Sequence, residues 1–406
     1  MTDLLAGTTI LEFGGGAAGP VATRYFADHG ATVIRVESRQ RPDFLRILKL
    51  TPNTPGGIDG GEHFAVLNAN KLSVALNLST AEGVAVARRL ALRADVVAEN
   101  FAPGAMAKWG LDYASLVKQR PDLVMISTCL NGQTGPQRSY PGFGGQGSAL
   151  SGFNHLTGWP DRAPLGPYGT ITDSLSPRLA ALLLATALLH RARTGRGQHL
   201  DLSQVEGGIV CLSENIASFT ANGTVLERMG NRSRHAAPHG VFRCADEDGR
   251  ERWIAIAIHD DDDWRRLVGA LGGPAWACEP ALASAANRLA RADTLEAGLA
   301  EWTAPQHATT LAETLQRAGI DAAPVLDLAD LHDDPQLAHR RHFRTVEHPV
   351  LGAHPAETHA IRFSGMEPAL RRPAPKLGEH TGQVLRDLLD MADEEIVRLR
   401  AAGVLD

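Results

Sequence analysis

The chain is poor in cysteine. Cys129, Cys211, Cys244 and Cys278 are the only four in 406 residues, widely separated and without a Cys-x-x-Cys pair. They read as reduced thiols rather than as a disulfide framework or a zinc site. Positive charge is also short: 40 Lys and Arg stand against 46 Asp and Glu, for a formal charge of -6 and a pI near 6.2. No broad basic surface is available, so nucleic acid is not the expected partner. The longest apolar stretch, around 179–189, is rich in alanine and too short to span a bilayer, and it reads as a buried helix. The start, Met1-Thr2-Asp3-Leu4-Leu5, has no basic region leading into a signal, so a cytoplasmic protein without a membrane partner is expected. Histidine is plentiful, yet the nearest approach to a ligand pair, His339-Arg340-Arg341-His342, sets two cations between its histidines, and no metal is expected.

What the chain has is length, with 44% hydrophobic residues, enough for two or more cores. Its first part alternates β-branched runs at 8–13, 31–37, 73–78, 95–100 and 122–128 with helical patterns at 20–28, 81–93 and 113–119. That rhythm predicts βαβ units and a mainly parallel sheet. From 131 to 170 the chain turns rich in Gly, Pro and Ser and is expected to be irregular and functional. A helix over 174–191, a strand over 198–202 and a helix over 203–221 follow. The reading is an α/β protein: a Rossmann-like large domain over 1–200, a linker helix over 201–224, a smaller α+β domain over 225–330, and a return to the large domain over 331–406.

Gly14-Gly15-Gly16-Ala17-Ala18-Gly19 satisfies G-x-G-x-x-G between a strand and a helix, and the next strand ends at Glu37. Taken alone this is a dinucleotide fingerprint, in which the helix N-terminus meets pyrophosphate and the acid holds a ribose. A NAD-dependent dehydrogenase is thus one hypothesis. Against it, Pro20 removes an N–H from the helix start, and Arg35 and Arg39 bracket Glu37 with charge that suits a terminal phosphate.

Asp173 ends the run Tyr168-Gly169-Thr170-Ile171-Thr172-Asp173 ahead of an apolar helix that leads into Thr194-Gly195-Arg196-Gly197-Gln198. An acid there serves either as an N-cap or as a carboxylate nucleophile.

Several segments, in order along nearly the whole chain, decide between the two: Leu11-Glu12-Phe13 with Ala18-Gly19-Pro20, Val33-Ile34-Arg35-Val36-Glu37, Asn68-Ala69-Asn70-Lys71-Leu72-Ser73, Glu99-Asn100-Phe101-Ala102-Pro103-Gly104, Gly132-Gln133-Thr134-Gly135-Pro136, and Pro375-Lys376-Leu377-Gly378-Glu379-His380-Thr381. With the Asp173 region they resemble the family III CoA-transferases, the group of formyl-CoA and carnitine CoA-transferases.

The resemblance implies that Asp173 is the nucleophile, that coenzyme A enters as acyl-CoA substrate with no permanently bound cofactor, and that two copies form an interlocked homodimer. It makes Arg39, Lys71 and Lys108 candidates for the CoA phosphates, Asn100 and Phe101 for the adenine or pantetheine region, and Arg138 for a further contact. Gly14, Gly15, Gly16 and Ala17 are expected as the active-site loop, with backbone N–H groups for an oxyanion. Several members carry glutamine where this chain has Ala17 and a bulkier residue at Gly16. Related α-methylacyl-CoA racemases use a histidine with this aspartate; here the aligned segment is Gly142-Phe143-Gly144, and phenylalanine moves no proton. His155 and His239 are the histidines left for that role. Arg232, Arg234 and His239 are read either as contacts for a second carboxylate, if the acid is dicarboxylic, or as surface charges.

Overall fold

The computed structural model describes residues 3–167, 169–367 and 369–405; Tyr168, at the head of the run leading to Asp173, lies outside them. The chain divides into two units, one of residues 1–154, 166–226 and 336–406, the other of 155–165 and 227–335.

The first unit is built on six strands: β1 (Thr9–Phe13), β2 (Thr32–Glu37), β3 (Leu72–Ala75), β4 (Val96–Glu99), β5 (Val124–Cys129) and β6 (Gln198–Ser203). Their order is β3-β2-β1-β4-β5-β6, and every neighbouring pair is parallel. Side chains alternate across a strand, so adjacent apolar residues serve opposite faces. Leu11, Ile34, Val74 and Val97 pack on one face with Leu90, Val384, Leu385 and Ile396, from the helices Ala81–Arg93, Thr381–Leu389 and Asp393–Ala401. Ile10, Val33, Val96 and Val124 pack on the other with Phe26, Ala180, Leu184 and Ala187, from the helices Ala18–Asp28 and Ile171–Thr194. This strand order changes direction between β1 and β4, and the crevice beyond their carboxyl ends is where such sheets bind ligands.

Three expectations are corrected, and one element is new. The 131–170 stretch holds two helices, Gly144–Leu150 and Phe153–Leu156, the first packed so closely that a Cβ on Gly147 would come within 2.5 Å of Thr172 Oγ1. Residues 201–224 are not a linker helix: they hold the end of β6 and two helices, Gln204–Val210 and Ser213–Asn222, all in the first unit. Gly207 and Gly208 allow that packing, since Cβ atoms there would lie 3.1 Å from Leu179 and 2.8 Å from Ser151. The helix of Asp173 runs for 24 residues and is, by length and composition, apolar enough to cross a bilayer; a third of its apolar window is buried in this chain. An antiparallel pair, β10 (Phe343–His348) and β11 (Gly352–Glu357), was not expected at all.

The second unit carries the antiparallel sheet β7 (His239–Glu247), β8 (Arg250–Ala257) and β9 (Asp321–Pro324). Phe242, Ile254 and Ile256 bury against Trp264, Leu267, Leu299 and Leu311 of its helices.

Beneath the crevice of the first unit lies a buried set of charges. Arg35, wholly inaccessible, pairs with Glu12 and with Asp43, stands 3.5 Å from Glu37, and donates to Gly14 O at 2.9 Å. Lys71 Nζ, equally buried, donates to Glu12 at 2.7 Å, Pro20 O at 2.8 Å and Asn68 Oδ1 at 3.0 Å. Arg46 grips Glu37 with two donors at 2.9 and 2.8 Å. Burial alone would raise the carboxyl pKa of Glu12, but Lys71 and Arg35 outweigh it and hold Glu12 below its ordinary 4.5. Glu37 is held low in the same way by Arg46 and Arg35 against its burial.

Removing one partner from such a set leaves the others buried and uncompensated. Glu12→Gln is expected to lower unfolding stability by about 3–5 kcal/mol, read as a lower denaturant midpoint. A depressed folded pKa adds stability that is complete above the unfolded value and fades as pH falls through the folded one. The gap between wild type and Glu12→Gln should therefore be full above pH 4.5 and narrow below it.

Candidate active site

After β1 the chain turns at Gly14 and Gly16, whose φ angles of +105° and +74° favour glycine. A Cβ on Gly14 would fall 1.9 Å from Asn100 Oδ1, because Asn100, just past β4, lies across the turn. Its Nδ2 donates to Gly15 O at 2.6 Å and its Oδ1 accepts from Gly15 N at 3.1 Å. Asp43 accepts from Gly16 N at 3.1 and 3.2 Å, and from Leu45 N at 2.9 Å, where it caps the short helix Phe44–Ile47. The N–H groups of Gly15 and Gly16, expected as oxyanion donors, are thus engaged by side chains 85 and 27 residues away. A bulkier residue at Gly16 would meet Phe44, whose ring lies 2.8 Å from the ideal Cβ.

Asp173 sits in the first turn of the helix Ile171–Thr194, but it is not the N-cap. Thr170 holds that place, with no side-chain capping bond. The carboxylate instead reaches a neighbour from β6's exit: Gln204 Nε2 donates to Asp173 Oδ1 at 3.0 Å. On its other side a Cβ at Gly144 would come within 2.4 Å of Oδ2, so only glycine leaves the carboxylate where it is.

Around Asp173 and Gln204 opens a cavity of about 390 Å³. Its wall includes the turn Gly15 to Ala18, Phe44, Asn100, Phe101, Cys129, Arg138, Tyr140 and Phe143. Phe44 and Phe143 face each other at 5.6 Å between centroids, which makes one side apolar. Cys129 is no competing nucleophile, since burial and the nearby Asp201 and Glu99 push its thiol up to about 11. Among the described residues of this wall there is no histidine.

The structure thus gathers Gly15, Gly16, Ala17, Asn100, Phe101 and Arg138 around Asp173; Gly14 sits one residue away, its backbone held by Arg35. Arg39 and Lys108 are exposed outside the lining of this cavity. Lys71 is corrected: bound to Glu12 in the interior, it is not available to a phosphate in solution. Arg35 and Glu37 are likewise interior groups, which removes the ribose acid that the G-x-G-x-x-G reading needed and also takes Arg35 away from the terminal phosphate its charge was expected to suit. In the second unit Arg232 is occupied by Asp293 and Glu296, His239 Nδ1 by Asn231 O at 2.6 Å, and His155 stands 3.3 Å from Glu227.

Sequence reasoning missed Gln204, Gly144, Asp43 and Phe44. Gly144 was visible beside Phe143, but its partner lies 29 positions on, and nothing in local spacing marks Gln204 as facing the carboxylate. It also missed the support of the 131–143 loop, where Asp201 accepts from Gln133 N at 2.9 and 3.0 Å and Gln133 reaches toward Glu99. Burial raises the pKa of Glu99, which lines a neighbouring hollow of about 300 Å³ with Ser127 and His199, themselves 2.9 Å apart.

Residues 5–381 match the model of CoA-transferase family III. The chain is 32% identical to succinyl-CoA–D-citramalate CoA-transferase of Chloroflexus aurantiacus, over 98% of this chain and 96% of that one. It is 32% identical to acetyl-CoA:oxalate CoA-transferase of Acetobacter aceti, over 91% of each. A crystal structure of a CAIB/BAIF family protein from Brucella suis superposes with a TM-score of 0.86 at 30% identity, over 96% of this chain and all of that one. With the glycine turn, Asn100 and Asp173 around one cavity, the chain belongs to CoA-transferase family III.

Proposed function

We propose that the protein moves CoA from an acyl-CoA to a carboxylic acid through a covalent thioester on Asp173, with no resident cofactor. The observation that carries this reading is the setting of Asp173: a carboxylate open to a cavity, held by a neutral amide, with no cation paired to it among the described residues. A carboxylate tied into an ion pair, as Glu12 and Glu37 are, is a poor nucleophile; one held only by an amide keeps its electrons available.

In the proposed sequence Oδ2 attacks the donor carbonyl, the C–S bond breaks, and CoA thiolate leaves an aspartyl–acyl anhydride. The thiolate then attacks Asp173 Cγ, and the donor acid departs with Oδ2. An acceptor carboxylate reverses both steps and carries CoA away. No proton transfer is required, which suits a wall without histidine and favours transfer over racemisation. D-citramalate and oxalate, in the names of the two relatives, are dicarboxylic acids, so succinyl-CoA with a panel of dicarboxylic acids is the first pairing to assay. Exposed Arg138 at the cavity rim, with Arg39 and Lys108, is proposed to meet the nucleotide end of CoA.

The proposal includes an interlocked homodimer in the cytoplasm. Leu182, Leu183 and Leu189 of the Asp173 helix, with Val210, Ile216 and Phe219, are exposed in one copy, and a second copy would cover them. The four free cysteines fit a reducing compartment.

Asp173→Asn keeps size and shape but forms no thioester, so turnover should fall by about 10⁴-fold or more with the melting temperature unchanged; an active variant would remove the covalent route. Gly144→Ala pushes the carboxylate aside and should lower kcat by roughly 10²-fold while the fold persists, checked by steady-state kinetics beside circular dichroism. Sedimentation should return twice the chain mass of 43.3 kDa.

A further inference from the structure

The bond from Gln204 to Asp173 selects one oxygen. Oδ1 receives Nε2 at 3.0 Å, while Oδ2 lies against Gly144 on the far side. If Oδ2 forms the anhydride, Oδ1 becomes the carbonyl oxygen at Cγ. When CoA thiolate adds to Cγ, the S–Cγ bond forms and the carbonyl electron pair moves onto Oδ1. Cγ–Oδ2 then breaks, and the acid leaves with its charge. When the acceptor carboxylate later attacks the thioester, the pair moves onto Oδ1 again before CoA thiolate departs. Both additions at Cγ thus place negative charge on the atom that already faces the amide.

We infer that Gln204 is a catalytic residue, the oxyanion donor for the two tetrahedral intermediates at Asp173 Cγ; this rests on the covalent reading above. Gly15 N and Gly16 N, two of the donors expected of the glycine turn, already donate to Asn100 and Asp43. Gln204 is itself buried, at 6% exposure, and lines the cavity. Its position is fixed from several sides. Ser203 Oγ caps its helix by accepting from Glu206 N at 3.2 Å, Val205 N donates to Leu130 O at 3.0 Å, and Gly207 and Gly208 let the helix close onto that of Asp173. A donor held in place before charge develops stabilises an oxyanion without reorganising. A neutral amide also suits both halves of the cycle: it supports the oxyanion without pairing the resting carboxylate into an ion pair.

Removing one such donor is expected to slow turnover by about 10²–10³-fold. Gln204→Ala should show that loss in kcat with KM for the acyl-CoA donor little changed. Gln204→Glu, the isosteric variant, gives a readout that a structural role would not move. Ionised, it presents an acceptor to Oδ1 and should be inactive at neutral pH; protonated, it donates again, so its activity should rise as pH falls while that of wild type does not. Borohydride added to wild type with donor alone should reduce the thioester and change the mass of the peptide carrying Asp173, and Gln204→Ala should acquire that change more slowly by the same factor. Wild-type turnover in Gln204→Ala, or a Gln204→Glu pH profile that follows wild type, overturns the role of Gln204 and leaves the trapped thioester standing. Absence of any borohydride product on Asp173 in wild type overturns the covalent reading instead.

Discussion

The geometry of the cavity beside Asp173 hangs on Arg35. A guanidinium with no access to solvent is tolerated only when its charge is compensated, and here Glu12, Asp43 and Gly14 O accept from its two terminal nitrogens, while Nε stands 3.5 Å from Glu37 without a hydrogen bond. Each of those partners fixes something else. Glu12 also binds Lys71 and Thr23, which ties β1 to β3 and to the helix Ala18–Asp28. Asp43 holds Gly16 N and starts the helix that brings Phe44 to the cavity. The bond to Gly14 O, together with Asn100, sets the path of the turn. One cation thus turns a flexible glycine segment into a defined wall.

The same network explains a separation among the carboxylates. Glu12 and Glu37 are ionised because they are bound to cations, and those cations remove them from reaction with anything else. Asp173 has an amide donor and a cavity. The fold therefore keeps its structural acids and its proposed nucleophile in different electrostatic settings, with the first set stabilising the turn that borders the second.

The G-x-G-x-x-G pattern shows how far a motif travels from its usual meaning. Strand, turn, helix and strand order all match a dinucleotide fold, and the turn does border the crevice where β1 and β4 part. Yet Asn100 lies across it, two of its N–H groups are engaged, and the acid that would hold a ribose is gripped by Arg46. The glycines remain necessary for a different reason: side chains at 14 and 16 would strike Asn100 and Phe44.

The alternation of apolar runs with helical patterns was enough to predict the parallel sheet, because strands buried on both faces appear in sequence directly as short continuous apolar runs. The ordered segments from Leu11 to Thr381 likewise carried the family and singled out Asp173. What sequence could not show was which charged residues are interior. Lys71 and Arg35 look like surface cations until Glu12, 59 and 23 positions away, is brought against them by the pairing of strands. Gln204 gives no local sign of its neighbour 31 positions earlier. The helix at 144–150 was missed because glycine weakens a helical pattern, and the one read over 203–221 is two helices; in the folded chain the glycines of 144–150 and 204–210 are what let helices approach. Periodicity and motif order are local properties and survive in one dimension; pairing between distant groups depends on contacts that only the closed sheet creates.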